Sequence, residues 1–305
     1  MSALNVRKTW ADTEVRPIEM AVYKRTYTGY SGPTTASWPR FLILTRYSFG
    51  RLFQSRFLVV FMALCLFYPI GCAAFIYLSH NAKFLVTLRI PAGQLTAIDT
   101  RFFYYYCIVQ GAMAYLLTAL VGPSLVSPDL VNGAMPLYFC RPFSRFQYVA
   151  GKMCVLLLLL SLMTWIPGLL LFTIESSVTG WDWGWEHFWI GGGLVMGLLM
   201  WNIVLSLIAL ATSAWVKWRI AAGAMVLGVF FAGAGFGNAI NAVLRTNNGS
   251  LIDLTQVAHT IWASLLRFDS GTDMSVTDAW VVVAITCGAC VVLLTRKVRA
   301  FEVVR

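Results

Sequence analysis

The sequence predicts an all-α polytopic membrane protein: six transmembrane helices, N-in and C-in, preceded by an amphipathic helix in the cytoplasmic interface. Three observations carry that fold class. Hydrophobic residues make up 59% of the 305 and charged residues 12%, where soluble domains hold about 45–50% and about 25%; the mean hydropathy is +0.72. Six stretches approach the roughly 20 apolar residues that a helix needs to cross the hydrocarbon core. The basic residues are one-sided. With both ends inside, every Lys and Arg falls on the cytoplasmic face except Lys83, Arg89, Arg101, Arg245 and Arg267, as retention of positive charge near span ends requires.

Residues 1–56 read as a cytoplasmic arm and a connecting helix. Up to Pro33 the arm carries Tyr23, Tyr27, Tyr30 and a Gly-Tyr-Ser-Gly-Pro turn, an ordered segment without a core of its own. From Trp38 to Arg56, Trp38, Phe41, Leu42, Leu44, Phe49, Leu52 and Phe53 mix with Arg40, Arg46, Arg51 and Arg56. That composition suits a helix lying among headgroups, with Arg reaching lipid phosphate. The segment is too long and polar for the n-region of a cleaved signal, so insertion is expected to begin at the first span.

The spans are expected at 57–78, 102–126, 153–174, 188–216, 220–244 and 279–295, which makes 57–295 the transmembrane domain and 296–305 a basic cytoplasmic tail. Strand-length segments of alternating polarity, the mark of an outer-membrane barrel, do not occur. Pro69 with Gly71, Gly122 with Pro123, and Pro167 with Gly168 are expected to interrupt the first three spans and to free backbone groups that neighbouring helices must satisfy. Gly233 and Gly237 form a GxxxG spacing, a candidate dimer seam; Gly193 and Gly197 repeat it, so intramolecular packing is an equal reading. Among the few polar residues within spans, Asn202 and Ser206 share one face and Asn238 and Asn241 another. They are candidates for interhelical hydrogen bonds or for lining a substrate path. The tryptophan-rich loop from Trp181 to Trp189 reads as an interfacial belt. Residues 245–277 include an amphipathic stretch, Leu251 to Leu266, expected at the outer surface.

Catalytic and metal chemistry lacks its parts. His80, His187 and His259 are widely separated, and Cys287-Gly-Ala-Cys290 lies in an apolar helix, where packing is the simpler role. Gly151-Lys152 is followed by Met153, and Phe146 stands where a phosphate-binding loop needs its first Gly. The chain is therefore expected to be no enzyme and to hold no cofactor or metal itself. Its net charge of +10 is accounted for by topology and contact with anionic membrane lipids, so nucleic acid is not expected as a partner.

A polar island separates the second and third spans. It runs Ser127-Pro-Asp129, Asn132-Gly133-Ala134, Leu137-Tyr138, Cys140-Arg141-Pro142-Phe143-Ser144-Arg145, then Tyr148-Val-Ala-Gly151-Lys152. As an ordered string at this point in the topology it resembles the ABC-2-type permeases, the six-helix transmembrane subunits of a class of ATP-binding-cassette exporters. The resemblance takes in the whole chain. Asp129 stands where Glu is common in that family, one methylene shorter.

The resemblance implies a short coupling helix beginning at Asp129 and a separate nucleotide-binding ATPase subunit that carries ATP and Mg. Its contacts would fall on Asp129, Leu130, Asn132, Gly133, Met135, Arg141, Pro142 and Arg145. It also implies a second permease copy, identical or diverged, with dimer contacts through the first and fifth spans, and a place in the bacterial cytoplasmic (inner) membrane. Two other readings stay open. The subunit could transmit force without transport, or act as a self-sufficient channel or secondary transporter, which would need intramembrane charge, a filter or an inverted repeat.

Overall fold

The computed structural model describes residues 40–81, 98–133, 144–216, 218–269, 271 and 274–297. The N-terminal arm as far as Pro39, with Trp38, and the tail beyond Lys297 lie outside the described residues. Among those described, every regular element is helical, and six helical segments are long and apolar enough to cross a membrane. The chain is an all-α multi-pass membrane protein.

The first described helix is α1, Arg40–Leu52, followed by the first span α2, Arg56–His80. The second span is α3, Thr100–Val131; the third is α4, Arg145–Met163, continued by α5, Trp165–Thr179. A short α6, Trp181–Glu186, leads to α7, Phe188–Trp215, and α8, Arg219–Leu244. A 3₁₀ turn at Asn248–Leu251, α9 at Leu254–Leu265 and the last span α10, Val276–Lys297, complete the order.

Helix α1 is amphipathic as expected. Phe41, Leu44, Thr45, Ser48, Phe49 and Leu52 form its covered side, while Arg46 and Arg51 are exposed, a spacing of three and four that defines one helix face. That face lies on α4 at Gly151, where a Cβ would stand 3.1 Å from Leu44 Cδ2 and 3.2 Å from the Phe41 carbonyl. The Thr45 hydroxyl lies 3.0 Å from the Gly151 carbonyl and 3.1 Å from that of Phe41. The absence of a side chain at Gly151 is what admits α1 this closely.

Of the three expected interruptions, one occurs. Helix α2 runs through Pro69, and α3 runs through Pro123 and Pro128. The third span does break, at Thr164, so that Pro167 falls in the first turn of α5, where its ring is tolerated and α5 itself loses no internal bond, although the Met163 carbonyl of α4 is left without an N–H. A neighbouring side chain answers for two of these prolines. Proline 69 cannot bond the carbonyl of Cys65, and Pro167 cannot bond that of Met163. The fully buried Gln110 of α3 directs its amide Nε2 at both, donating to the Met163 carbonyl and lying 3.5 Å from that of Cys65. The break is also held by the Tyr106 hydroxyl, which donates to the Thr164 carbonyl at 2.8 Å, and by Asn202 Nδ2, which donates to Thr164 Oγ1 at 2.9 Å.

Helix α7 is the centre of the bundle: 78% of its apolar window is buried, against 22% for α8 and 17% for α10. The stretch after α8 departs from expectation. Instead of lying on the outer surface, α9 is tucked among α3, α7 and α10, with Val257, Ala258, Ile261 and Trp262 buried. The reason is a pair of glycines. A Cβ at Gly111 would meet Trp262 Cη2 at 2.5 Å and one at Gly197 would meet Trp262 Cδ1 at 2.7 Å. These positions lie about 16 and 14 Å along α3 and α7 from their outer ends, at 1.5 Å per residue. Asp253 starts α9 by accepting from the Thr255 N–H at 2.9 Å.

The two ends of the bundle differ in chemistry. At the outer end, Thr179 donates to Glu175 Oε1 at 2.8 Å, and His80 Nε2 lies 3.5 Å from the same oxygen. Trp183 stacks on His187 at 4.6 Å, while Trp181 and Trp185 stay exposed, as in a belt at the water boundary. The other end collects Arg46, Arg51, Lys152, Arg219, Arg296 and Lys297, the last placed 5.0 Å from the Trp215 ring centroid.

Candidate functional site

The polar island joins two helices that the structure clamps together. Helix α3 continues one turn past the expected end of the second span, to Val131, and stops at Asn132 and Gly133. Gly133 has a φ of 61°, the left-handed geometry that commonly ends a helix. Helix α4 begins at a capping box: the Ser144 hydroxyl accepts from the Gln147 N–H at 3.1 Å, and the Gln147 side chain accepts from the Ser144 N–H at 3.0 Å. Together the two bonds satisfy donors that a helix start would leave orphaned.

Asp129 and Lys152 form the clamp. Their carboxylate and ammonium are 3.0 Å apart, and the buried Tyr148, one turn before Lys152, donates its hydroxyl to the same carboxylate at 2.8 Å. The lysine is only 5% exposed. A charge so enclosed needs its partner, since removing one member of a buried pair leaves the other uncompensated. Ser127 adds a second tie: its hydroxyl lies 3.1 Å from the Val216 carbonyl, linking α3 to the end of α7.

Several expected site residues now have places. Asp129 lies within α3, which runs on unbroken from the second span, and its carboxylate meets Lys152 and Tyr148 of its own chain. The rest of the expected coupling helix, beyond Gly133, lies outside the described residues. Asn132 and Gly133 are exposed at the end of α3. Leu130 lies in α3 and Arg145 opens α4; their side chains, and all of Met135, Arg141 and Pro142, lie outside the described residues.

The glycine pair of α8 is filled from within. A Cβ at Gly233 would stand 2.8 Å from the Ile252 carbonyl oxygen, and one at Gly237 2.6 Å from that of Gly249. The chain's own 3₁₀ turn occupies this face, so Gly233 and Gly237 serve intramolecular packing and not a seam between copies. By contrast, Gly228 and Gly235 face open space, with nothing within 4 Å of a Cβ.

The four polar candidates do not converge on one path. Asn202 and Ser206 are fully buried, Asn202 beside the Thr164 break. Asn241 closes on the 3₁₀ turn, accepting from the Gly249 N–H at 2.7 Å and donating to Ser250 at 3.0 Å. Asn238 is exposed. For Asn202 and Asn241 the structure gives the hydrogen-bonding role.

Sequence reasoning passed over Lys152 and Tyr148 as partners of Asp129, and over the bracing role of Gln110. Two signals were present: Ser144-x-x-Gln147 is a capping-box spacing, and Tyr148 with Lys152 at i and i+4 marks one helix face. Among the described residues, no group of three or more His, Cys, Asp or Glu is placed to hold a metal ion. No protein-family model and no curated protein matches the chain.

Proposed function

We propose that the chain is the membrane-spanning permease subunit of an ATP-driven exporter in the bacterial inner membrane, coupled to a separate nucleotide-binding subunit. The observation that carries this reading is the Asp129–Lys152–Tyr148 clamp. It ties together the two helices that flank residues 134–143, so a push on that stretch moves α3 and α4 as one body. From α4 the motion passes to α1 through Gly151 and to the braced break at Thr164. Arg141 and Arg145 supply positive charge for acidic groups on the partner.

A second permease copy packs on α8 in this reading. Ala221, Ala224, Gly228, Ala232, Gly235 and Ala239 are all exposed and recur at three- and four-residue spacing. Such a stripe of small residues lets two helix backbones approach closely in lipid. The sealed positions of Asn202 and Ser206 favour a substrate path between copies over one through a single bundle.

Affinity purification of the tagged full chain in mild detergent tests the proposal. A near-equimolar ATPase among the co-purifying proteins is expected, and Arg145→Glu should lower its stimulated ATP turnover while leaving membrane insertion intact. ATPase-free material that still moves solutes into liposomes would overturn the reading in favour of a self-sufficient transporter.

A further inference from the structure

We propose that a cavity at the basic end, between α1 and the ends of α2, α3 and α8, binds the phosphate headgroup of an anionic lipid from the adjoining leaflet. The site does not depend on an ATPase partner.

The cavity measures about 1070 Å³, slightly above the range of about 300–1,000 Å³ usual for small-ligand sites. Its wall contains Arg46, Arg51 and Arg219, none of which has an acidic partner among the described residues. The one carboxylate in the wall, Asp129, is already matched by Lys152 at 3.0 Å. Three guanidinium charges are left uncompensated, and their planar forks suit phosphate oxygens.

The start of α2 adds to this potential. Ser55, the residue before its first turn, lines the cavity, and its side chain makes no capping bond. The first N–H groups of α2 have no partner within the helix, and the positive end of its dipole lies at this end of the cavity wall.

An apolar surface continues from the charged one and decides between a soluble anion and a lipid. Leu58, Val121 and Leu125 form a buried floor, and Phe57 and Leu120 carry it onto the exposed sides of α2 and α3. A free phosphate would use the arginines alone. A lipid also lays its acyl chains along Phe57 and Leu120, where those sides face the hydrocarbon.

Native mass spectrometry of the full chain, released from micelles holding equal phosphatidylglycerol and phosphatidylcholine, provides the test. One phosphatidylglycerol per chain should be retained about tenfold over phosphatidylcholine. The double substitution Arg46→Gln with Arg219→Gln should lower that affinity about thirtyfold, from the contribution of each basic side chain near an anionic headgroup. Arg296→Gln with Lys297→Gln, at the same end but outside the cavity wall, should leave it within about twofold. Gly50→Trp probes the space itself: Gly50 lines the cavity and a Cβ there meets nothing within 4 Å, so the indole should displace the lipid with every arginine in place. Equal retention of the two lipids would overturn the proposal. So would undiminished retention in both the arginine and Gly50 variants, an equal loss in the Arg296 and Lys297 variant, or displacement by equimolar inorganic phosphate, which would mark a site for a soluble anion.

Discussion

Helices α7 and α8 follow each other in the chain, are apolar throughout and carry the same GxxxG spacing, yet one is enclosed and the other stands at the edge. In α7, 78% of the apolar window is buried; in α8, 22%. Apolar content alone does not rank helices in a bilayer, because lipid tails are as apolar as the side chains that face them. What separates the two is where small and polar residues meet something. Gly193 and Gly197 of α7 admit α9, and Asn202 bonds the broken third span. In α8, one pair of glycines receives the chain's own turn and another, Gly228 and Gly235, meets nothing.

Breaking the inner side should have the largest effect. Gln110→Leu removes the donor directed at the two carbonyls freed by Pro69 and Pro167, and leaving buried carbonyls unpaired costs about 1–3 kcal/mol each. A loss of about 3 kcal/mol is expected, measured as earlier thermal unfolding in detergent; an unchanged midpoint would mean that water already serves those groups. Next in size is Gly197→Leu in α7. Its Cβ would start 2.7 Å from the Trp262 ring, and overpacking of this kind costs about 1–3 kcal/mol. Because Trp262 is the residue pushed, proteolysis should open first at α9. Asn202→Ala should cost about 1 kcal/mol, the usual worth of one buried hydrogen bond. If Asn202 instead lined a substrate path, the change would alter transport more than stability.

The spans were legible in the sequence because the bilayer sets their length. The expected first span at 57–78 became α2, Arg56–His80, and the fourth at 188–216 became α7, Phe188–Trp215. The amphipathic character of α1 was legible from the mixture of apolar residues with Arg40, Arg46 and Arg51. The clamp was not, since Asp129 and Lys152 are 23 positions apart and their meeting depends on how α3 and α4 pack. Nor was the course through the prolines. A proline predicts a lost hydrogen bond but not whether a neighbour such as Gln110 supplies another. The inward turn of α9 was hidden too, because a buried apolar face and a membrane-facing one have the same composition.

The smallest effect on stability belongs to Gly228→Leu in α8, and it bears most directly on the comparison. The new side chain enters open space, and a surface substitution of this kind changes monomer stability by no more than about 0.5 kcal/mol. The unfolding midpoint should therefore stay at the wild-type value, in contrast to the Gly197 and Gln110 variants, which lower it. If α8 is a seam between copies, close backbone approach at the small-residue stripe is what a leucine prevents, so the dimer fraction in analytical ultracentrifugation should fall sharply. Gly237→Leu gives the opposite pattern: its Cβ strikes the Gly249 carbonyl oxygen at 2.6 Å, which should lower stability before it affects association. A wild-type chain that sediments as a monomer, or a Gly228→Leu dimer as strong as the wild type, would leave the open face of α8 to lipid. The two helices would then differ only in packing, and any second copy would have to sit elsewhere on the bundle.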